Sequence, residues 1–153
     1  MKTTIEKVAN VYPFLDKAKY TKMENADRKA LIKAMRPMKK TAADFNDFRE
    51  DAIKRLRPEN FDKTEELINK FNTLPQEERK AAIADPEYQE AFKVNGEYNT
   101  AINDCLKEEF DKEIELDFTP LTEDAVDRLL DSNTDWTIGQ AMAVEELLCA
   151  KEG

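Results

Sequence analysis

Apolar residues recur at helical spacing along most of the chain, and the longest such stretch runs from Asp27 to Arg57. Within it, Leu31, Met38, Phe45 and Ala52 follow one another at seven-residue intervals. Such a recurrence places apolar side chains along one face of a helix. The pattern therefore predicts a long amphipathic helix.

Two prolines are expected to disturb this helical pattern. Pro37 lies inside the long helix, where a missing N–H donor and a clash with the preceding turn predict a kink or break near Arg36. Pro13 interrupts the segment Thr3 to Tyr12, which fits either a short strand or a helix. Pro58 is predicted to end the long helix.

Local signals mark the remaining helices. One is predicted over residues 62–74, and proline or capping residues mark the starts of four more: Pro75, Asp85 with Pro86, Thr122, and Thr137 with Gln140. The predicted fold is a single, mainly α-helical domain over residues 1–153, with five to seven helices and a minor two-stranded β element. Its predicted core is Leu31, Met35, Met38, Phe45, Phe48, Leu56, Leu67, Ile68, Phe71, Phe92, Ile102, Leu106, Leu129 and Leu147.

The β element is predicted from the run EIELDF at residues 113–118. Its residues alternate strictly, so an extended chain would turn Ile114, Leu116 and Phe118 to one face and Glu113, Glu115 and Asp117 to the other. The partner strand would be the N-terminal KTTIEKV, whose Lys2 and Lys7 would face the acids. We expect the apolar face to meet the core.

The outward row of Glu113, Glu115 and Asp117 is the candidate interaction face of the sequence. We expect it to face solvent or the basic side chains of residues 1–57. This interpretation makes binding the remaining use for the acidic row.

Charge is divided unevenly along the chain, whose formal net charge is −9. Residues 1–57 contain 15 Lys/Arg and 8 Asp/Glu, a net of +7, whereas residues 58–153 contain 9 and 25, a net of −16. One interpretation makes the first part a nucleic-acid binder and the second an acidic decoy. The interpretation that we favour is that the two parts face each other in one fold.

Several catalytic classes are excluded by composition. The chain has no histidine, one serine and three glycines. Imidazole-based catalytic groups, histidine metal sites, a nucleophile elbow and a phosphate-binding glycine loop cannot be assembled from it.

Metal binding by Asp and Glu carboxylates is not excluded by composition. Glu108, Glu109 and Glu113 are the nearest candidates for Mg²⁺, because their i to i+4 spacing puts Glu109 and Glu113 on one helical face. They lack the paired E-x-x-E and E-x-x-D signature of helical nucleotide pyrophosphohydrolases, and a solvated helix end explains them as well. The sequence thus predicts no catalytic, metal-binding or cofactor-binding residue.

The cysteines and the basic stretch have plain explanations. Cys105 and Cys149 fit small buried apolar residues. Residues 17–40 hold nine Lys/Arg with Tyr20 as their only aromatic, which favours solvated or internally paired cations over nucleic-acid binding. No signal-peptide or membrane-spanning pattern is found, so we expect a reduced, cytoplasmic setting.

Four segments resemble small proteins of tailed bacteriophages and prophages, a family of unknown function: TIEKVANVYPFL, ALIKAMRPMKKTAADFNDFREDAIKRL, NTAINDCLKEEFDKEIELDFTPLTED and DWTIGQAMAVEELL. The resemblance implies a phage-encoded protein acting in the host cytoplasm. It assigns a role to no residue.

Three functions are open at this point. The first is a non-enzymatic accessory protein that binds a host or phage protein, with no membrane association and no direct nucleic-acid binding. The second is an acidic nucleic-acid mimic that inhibits a host DNA- or RNA-binding enzyme. The third is a carboxylate-metal hydrolase.

Overall fold

The longest helix is α2, which extends over Asn25–Leu56 in the computed structural model, where residues 1–149 are described. All four residues of the predicted stripe are buried: Leu31, Met38, Phe45 and Ala52. The periodic pattern therefore predicted both the helix and its inward face.

Of the kink or break predicted near Arg36, the break is wrong, because α2 continues through Pro37, and the kink stays a prediction. A proline inside a helix costs roughly 3 kcal/mol. Ala34 and Met38 lie on either side of it and are completely buried. Packing of this stretch outweighs the lost backbone hydrogen bond.

The N-terminal segment contains both of the alternatives that the sequence allowed. β1 covers Lys2–Thr4, and α1 covers Ile5–Asp16. The Thr4 side chain accepts a hydrogen bond from a backbone N–H in the first turn of α1. Pro13 was expected to interrupt this segment, but it lies inside α1, which buries four apolar side chains.

The remaining elements follow in chain order: α3 (Phe61–Thr73), α4 (Gln76–Ala82), α5 (Pro86–Phe110), β2 (Glu113–Glu115), α6 (Glu123–Ser132) and α7 (Ile138–Leu148). Within residues 1–149 there are thus seven helices and one two-stranded sheet. This confirms the mainly α-helical fold class with a minor β element. None of these helices is long and apolar enough to span a membrane.

The contacts of the chain group its residues into two compact units. Unit 1 consists of residues 1–48 and the described residues from 108 onward, and unit 2 consists of residues 49–107. One domain over residues 1–153 therefore stays a prediction.

The sheet of unit 1 joins distant parts of the sequence. β1 and β2 are antiparallel, with Lys2 opposite Glu115, Thr3 opposite Ile114 and Thr4 opposite Glu113. The predicted pairing of the two segments is confirmed, although β2 ends at Glu115, earlier than the alternating run. Beyond the strand, the backbone N–H of Leu116 still donates to the carbonyl of Met1 at 2.8 Å.

The core of unit 1 is a cluster of side chains from α1, α2, α6, α7 and the residues after β2. Its largest fully buried members are Val8, Met38, Val126, Leu129, Val144 and Leu148. α1 packs against α7. The sequence-based core list omitted the α1 contribution, because the segment before Pro13 fitted a strand as well as a helix.

Unit 2 is built around aromatic contacts. Phe61 and Tyr98 lie 4.8 Å apart between ring centroids, and the Tyr98 hydroxyl donates to the carbonyl of Ile53 at 2.6 Å. Phe71 meets Phe92 edge to face at 4.9 Å. Aromatic side chains therefore form much of the small core of unit 2.

Five of the seven predicted core residues in unit 1 are buried, whereas none of the seven in unit 2 is buried. Buried members of the list are Leu31, Met38, Phe45, Leu129 and Leu147. The others are half-buried, except for Phe92, which is exposed, so its placement in the core was wrong. Phe92 has the right helical spacing, but its ring packs on Phe71 at the surface of unit 2.

The predicted helix starts are confirmed by hydrogen bonds at three positions. The backbone N–H of Glu87 donates to the Asp85 carboxylate at 3.0 Å. Thr137 and Gln140 form the reciprocal capping box, and the Thr122 hydroxyl accepts from the N–H of Ala125 at 3.2 Å. Pro75 is different: it directly precedes α4 instead of forming its first residue.

Replacing Thr122 with alanine is expected to lower the free energy of unfolding by about 1 kcal/mol, because the N-terminal N–H groups of α6 lose a side-chain acceptor. Urea denaturation followed by circular dichroism measures the change. Thr119→Ala is the matched control, since Thr119 is exposed in the same loop and caps no helix. Equal effects of the two variants would contradict a capping role.

Candidate interaction surfaces

The acidic row is exposed, as predicted. Glu113, Glu115 and Asp117 are all exposed, whereas Leu116 between them is only 3% exposed. Ile114 and Phe118 are half-buried and pack against the core of unit 1. The orientation of the run is confirmed, and its use as a binding face stays a prediction.

The lysines expected opposite this row are arranged differently. Lys2 is in register with Glu115 in the sheet. Lys7 was expected to pair with the row as part of the strand, but it belongs to α1 and its ammonium donates to the Glu146 carboxylate at 2.6 Å. Such exposed pairs contribute about 0–1 kcal/mol each. The sheet is therefore held by backbone bonds and burial more than by charge.

The carboxylates considered for Mg²⁺ do not share one helical face. α5 ends at Phe110, so Glu109 is helical while Glu113 lies in β2. Glu109 instead accepts from the ammonium of Lys112 at 2.6 Å, and this contact raises the pKa of Lys112. Within residues 1–149, no group of three or more His, Cys, Asp or Glu is placed to hold a metal ion.

The two cysteines differ in their surroundings. Cys149 is buried, which matches the prediction, whereas Cys105 is half-buried. The guanidinium of Arg55 donates to the Cys105 sulfur at 3.6 Å. This neighbour lies 50 residues away in the sequence, and for that reason the local pattern did not reveal it.

A second surface, which we call the α2 groove, lies in unit 1 and encloses about 240 Å³. Its two walls come from α2 and from the segment that leads out of α1; they consist of Arg28, Leu31, Ile32 and Met35 on one side and Leu15, Asp16, Ala18 and Tyr20 on the other. Tyr20 is 51% exposed and Ile32 is 53% exposed. Two large apolar side chains are thus presented to solvent at a concave site.

The wall that carries Tyr20 is fastened to the end of α6. The buried side chain of Asn133 accepts from the N–H of Lys19 at 2.8 Å and donates to its carbonyl at 2.7 Å. The Ser132 hydroxyl accepts from the N–H of Lys22 at 2.9 Å. These bonds fix the irregular segment between α1 and α2 on both sides of Tyr20.

The wall formed by α2 is fastened to the same helix. The Asp27 carboxylate accepts from Nε of Arg128 at 2.7 Å and from its Nη2 at 3.2 Å. Asp27 also accepts from the N–H of Glu24 at 3.0 Å, which satisfies a free donor at the start of α2. The Arg128 hydrogen bonds lower the pKa of Asp27 most, burial opposes them, and the Glu24 N–H lowers it further.

Most residues that line the α2 groove belong to the basic stretch of residues 17–40. Exposed cations occupy both the segment before α2 and its first turns: Lys17, Lys19, Lys22, Arg28, Lys29, Lys33, Arg36, Lys39 and Lys40. The guanidinium of Arg28 lies over the ring of Tyr20, 4.8 Å from its centroid. Among the ion pairs of residues 1–149, none involves these nine side chains. Of the two alternatives predicted for the basic stretch, solvated cations describe these exposed side chains, and internal ion pairs are not found in the described part of the chain.

Sequence reasoning identified the cations but not the groove. The available signal was Ile32, an apolar residue outside the seven-residue stripe of α2. Asn133 and Ser132 gave no signal, since polar residues in a short connection ordinarily face solvent. Their role depends on a segment more than 100 residues earlier in the chain, as the separations of 114 and 110 residues show.

Comparison of the chain with protein-family models, with curated proteins and with solved structures gives no match. The resemblance to small proteins of tailed bacteriophages therefore stays a prediction, and so does everything that it implies about origin.

Proposed function

We propose that this protein is a non-enzymatic interaction module that binds another protein in the α2 groove. The observation that carries the proposal is the exposure of Tyr20 and Ile32, each by about half, on the walls of a concave site. An apolar side chain of a partner that enters the groove would remove both from water. Burial of apolar area is the main favourable term in most protein association.

The way in which the walls are held supports the proposal. Both are hydrogen-bonded to α6, one through Asn133 and one through Asp27 with Arg128. A site whose backbone is already ordered loses less conformational entropy when a ligand enters it. The groove therefore has the rigidity that a recognition site needs.

The proposal includes a biological setting that comes from the sequence resemblance alone. In that setting, the chain is a phage-encoded accessory protein of the infected cell, and its partner is a host or phage protein whose assembly or activity it modulates.

A display library of random 16-residue peptides, selected on the immobilised protein, tests the proposed function. We expect selected peptides to bind at least tenfold more weakly to Ile32→Gln, because this change removes the apolar contact without adding a charge. Ile83→Gln is the matched control, since Ile83 is 57% exposed and lies in unit 2. Fluorescence anisotropy with individual synthetic peptides measures the affinities.

Two outcomes would contradict the proposal. In the first, no peptide is enriched on the wild-type protein, or the enriched peptides bind Ile32→Gln as tightly as the wild type. In the second, the protein turns over a substrate in the presence of Mg²⁺ and loses this activity when Glu109 and Glu113 are both changed to glutamine. The second outcome would favour the carboxylate-metal hydrolase.

A further inference from the structure

We infer that the occupant of the α2 groove is an acidic segment of another protein, with apolar side chains that enter the groove and carboxylates on either side of them. This inference rests on the proposed function and names the chemistry of the partner. It starts from what surrounds Ile32.

The helical neighbours of Ile32 are mostly cations. Residues three and four positions away lie next to a given residue on a helix surface. For Ile32 these are Arg28, Lys29, Met35 and Arg36, and the three cations among them are exposed. When a side chain of a partner contacts Ile32, the partner residues next to that side chain therefore lie close to these cations.

These cations form no ion pair with the described part of the chain. Asp27, the one buried acid of the basic stretch, is taken up by Arg128. Among residues 1–149, Asp16 is the only carboxylate that lines the groove. Carboxylates of a partner would complement the positive charge of these side chains. Such complementarity raises the association rate and disfavours basic partners.

The lining favours a protein segment over a nucleic acid. Single-stranded nucleic acids bind through aromatic platforms on which bases stack. Tyr20 is the only aromatic side chain that lines the groove within the described part of the chain, and Arg28 already covers one face of its ring. Leu31, Ile32 and Met35 offer aliphatic contact, which suits leucine or phenylalanine side chains better than bases.

Three synthetic 15-residue peptides of one design test the inference. Each has two leucines four positions apart, and the flanking positions are all glutamate, all glutamine or all lysine. By fluorescence anisotropy in 50 mM NaCl, we expect the glutamate peptide to bind at least tenfold more tightly than the glutamine peptide, and the lysine peptide to bind most weakly. The advantage of glutamate should shrink towards 500 mM NaCl, because salt screens exposed charges.

Variants separate the two parts of the contact. Ile32→Gln should weaken both the glutamate and the glutamine peptides. The double variant Lys29→Gln/Arg36→Gln should weaken only the glutamate peptide. Lys54→Gln, a change at an exposed cation of α2 within unit 2, should weaken neither.

Each contrary outcome overturns the inference in an identifiable way. If the glutamate and glutamine peptides bound with equal affinity and Ile32→Gln weakened both, the inference of an acidic partner would be wrong, and the proposed function would still hold. Tighter binding of a 15-nucleotide single-stranded DNA than of the glutamate peptide would assign the groove to nucleic acid. Dimerisation in sedimentation velocity that Ile32→Gln abolishes would assign it to a second copy of this chain. Absence of any Ile32-dependent binding, by the library or by these peptides, would overturn both proposals.

Discussion

Replacing Leu116 with alanine is expected to lower the free energy of unfolding by about 2–5 kcal/mol, because the change leaves a cavity in a core that cannot fully collapse around it. Leu116 is 3% exposed and belongs to the core of unit 1. Its backbone N–H and carbonyl are both bonded to Met1, at 2.8 and 2.9 Å. These bonds hold Leu116 in place, so the truncated side chain has little freedom to move into the space left behind.

Glu115→Gln is the matched control for Leu116→Ala. The neighbouring carboxylate points away from the core, and its removal should change stability by less than about 0.5 kcal/mol, as for most exposed substitutions. Urea denaturation of both variants, followed by circular dichroism, gives the comparison. If Glu115→Gln were the more destabilising change, the orientation described for this run would be wrong.

Replacing Asp27 with alanine is expected to lower the free energy of unfolding by about 2–4 kcal/mol at pH 7, because it removes hydrogen bonds from charged and backbone donors at once. Asp27 is 8% exposed. The change leaves Arg128 without its carboxylate and the start of α2 without an acceptor for the Glu24 N–H. The loss is therefore larger than that of an ordinary surface ion pair.

The effect of Asp27 should depend on pH in one direction. The pKa of Asp27 is lowered in the folded state, so its charge stabilises the fold fully above the unfolded-state pKa of about 3.9. This contribution is lost as the pH falls through the lower, folded-state pKa. The stability difference between the wild type and Asp27→Ala should be constant from pH 8 to 5 and shrink below pH 4.

Asp44→Ala is the control for the Asp27 series, since Asp44 is exposed on the same helix. Its effect should be small at every pH. A difference between the wild type and Asp27→Ala that grows towards low pH would contradict the described role of the Asp27–Arg128 pair.

Parts of the fold that depend on neighbours in the sequence could be predicted. The stripe of α2 follows from a seven-residue period, and the caps at Thr122 and Thr137 follow from residues three positions apart. The β1–β2 pairing was also predictable, because few segments of the chain favour a strand and one strand alone leaves its backbone groups unsatisfied.

Parts that depend on distant residues could not be predicted. The prediction at Pro37 considered only the free-energy cost of a proline inside a helix. Burial of Ala34 and Met38 outweighs this cost, and that burial exists only in the assembled core. The α2 groove likewise depends on Asn133 and Arg128, which approach residues 19 and 27 only in the folded chain. The amino-acid sequence shows the cations near the groove, but not the hydrogen bonds that hold its walls.

Because unit 1 is discontinuous in sequence, its completion is delayed during synthesis on the ribosome. The partners of Met1, Lys7, Lys19 and Asp27 follow them by 115, 139, 114 and 101 residues. At about 5–20 residues per second, this separation corresponds to roughly 5–30 s between the appearance of one side and the other. Throughout that interval α7, against which α1 packs, is absent, whereas unit 2 is one continuous stretch and can form its contacts earlier. Apolar surface of unit 1 is thus expected to stay exposed longer than that of unit 2 while the chain is being made.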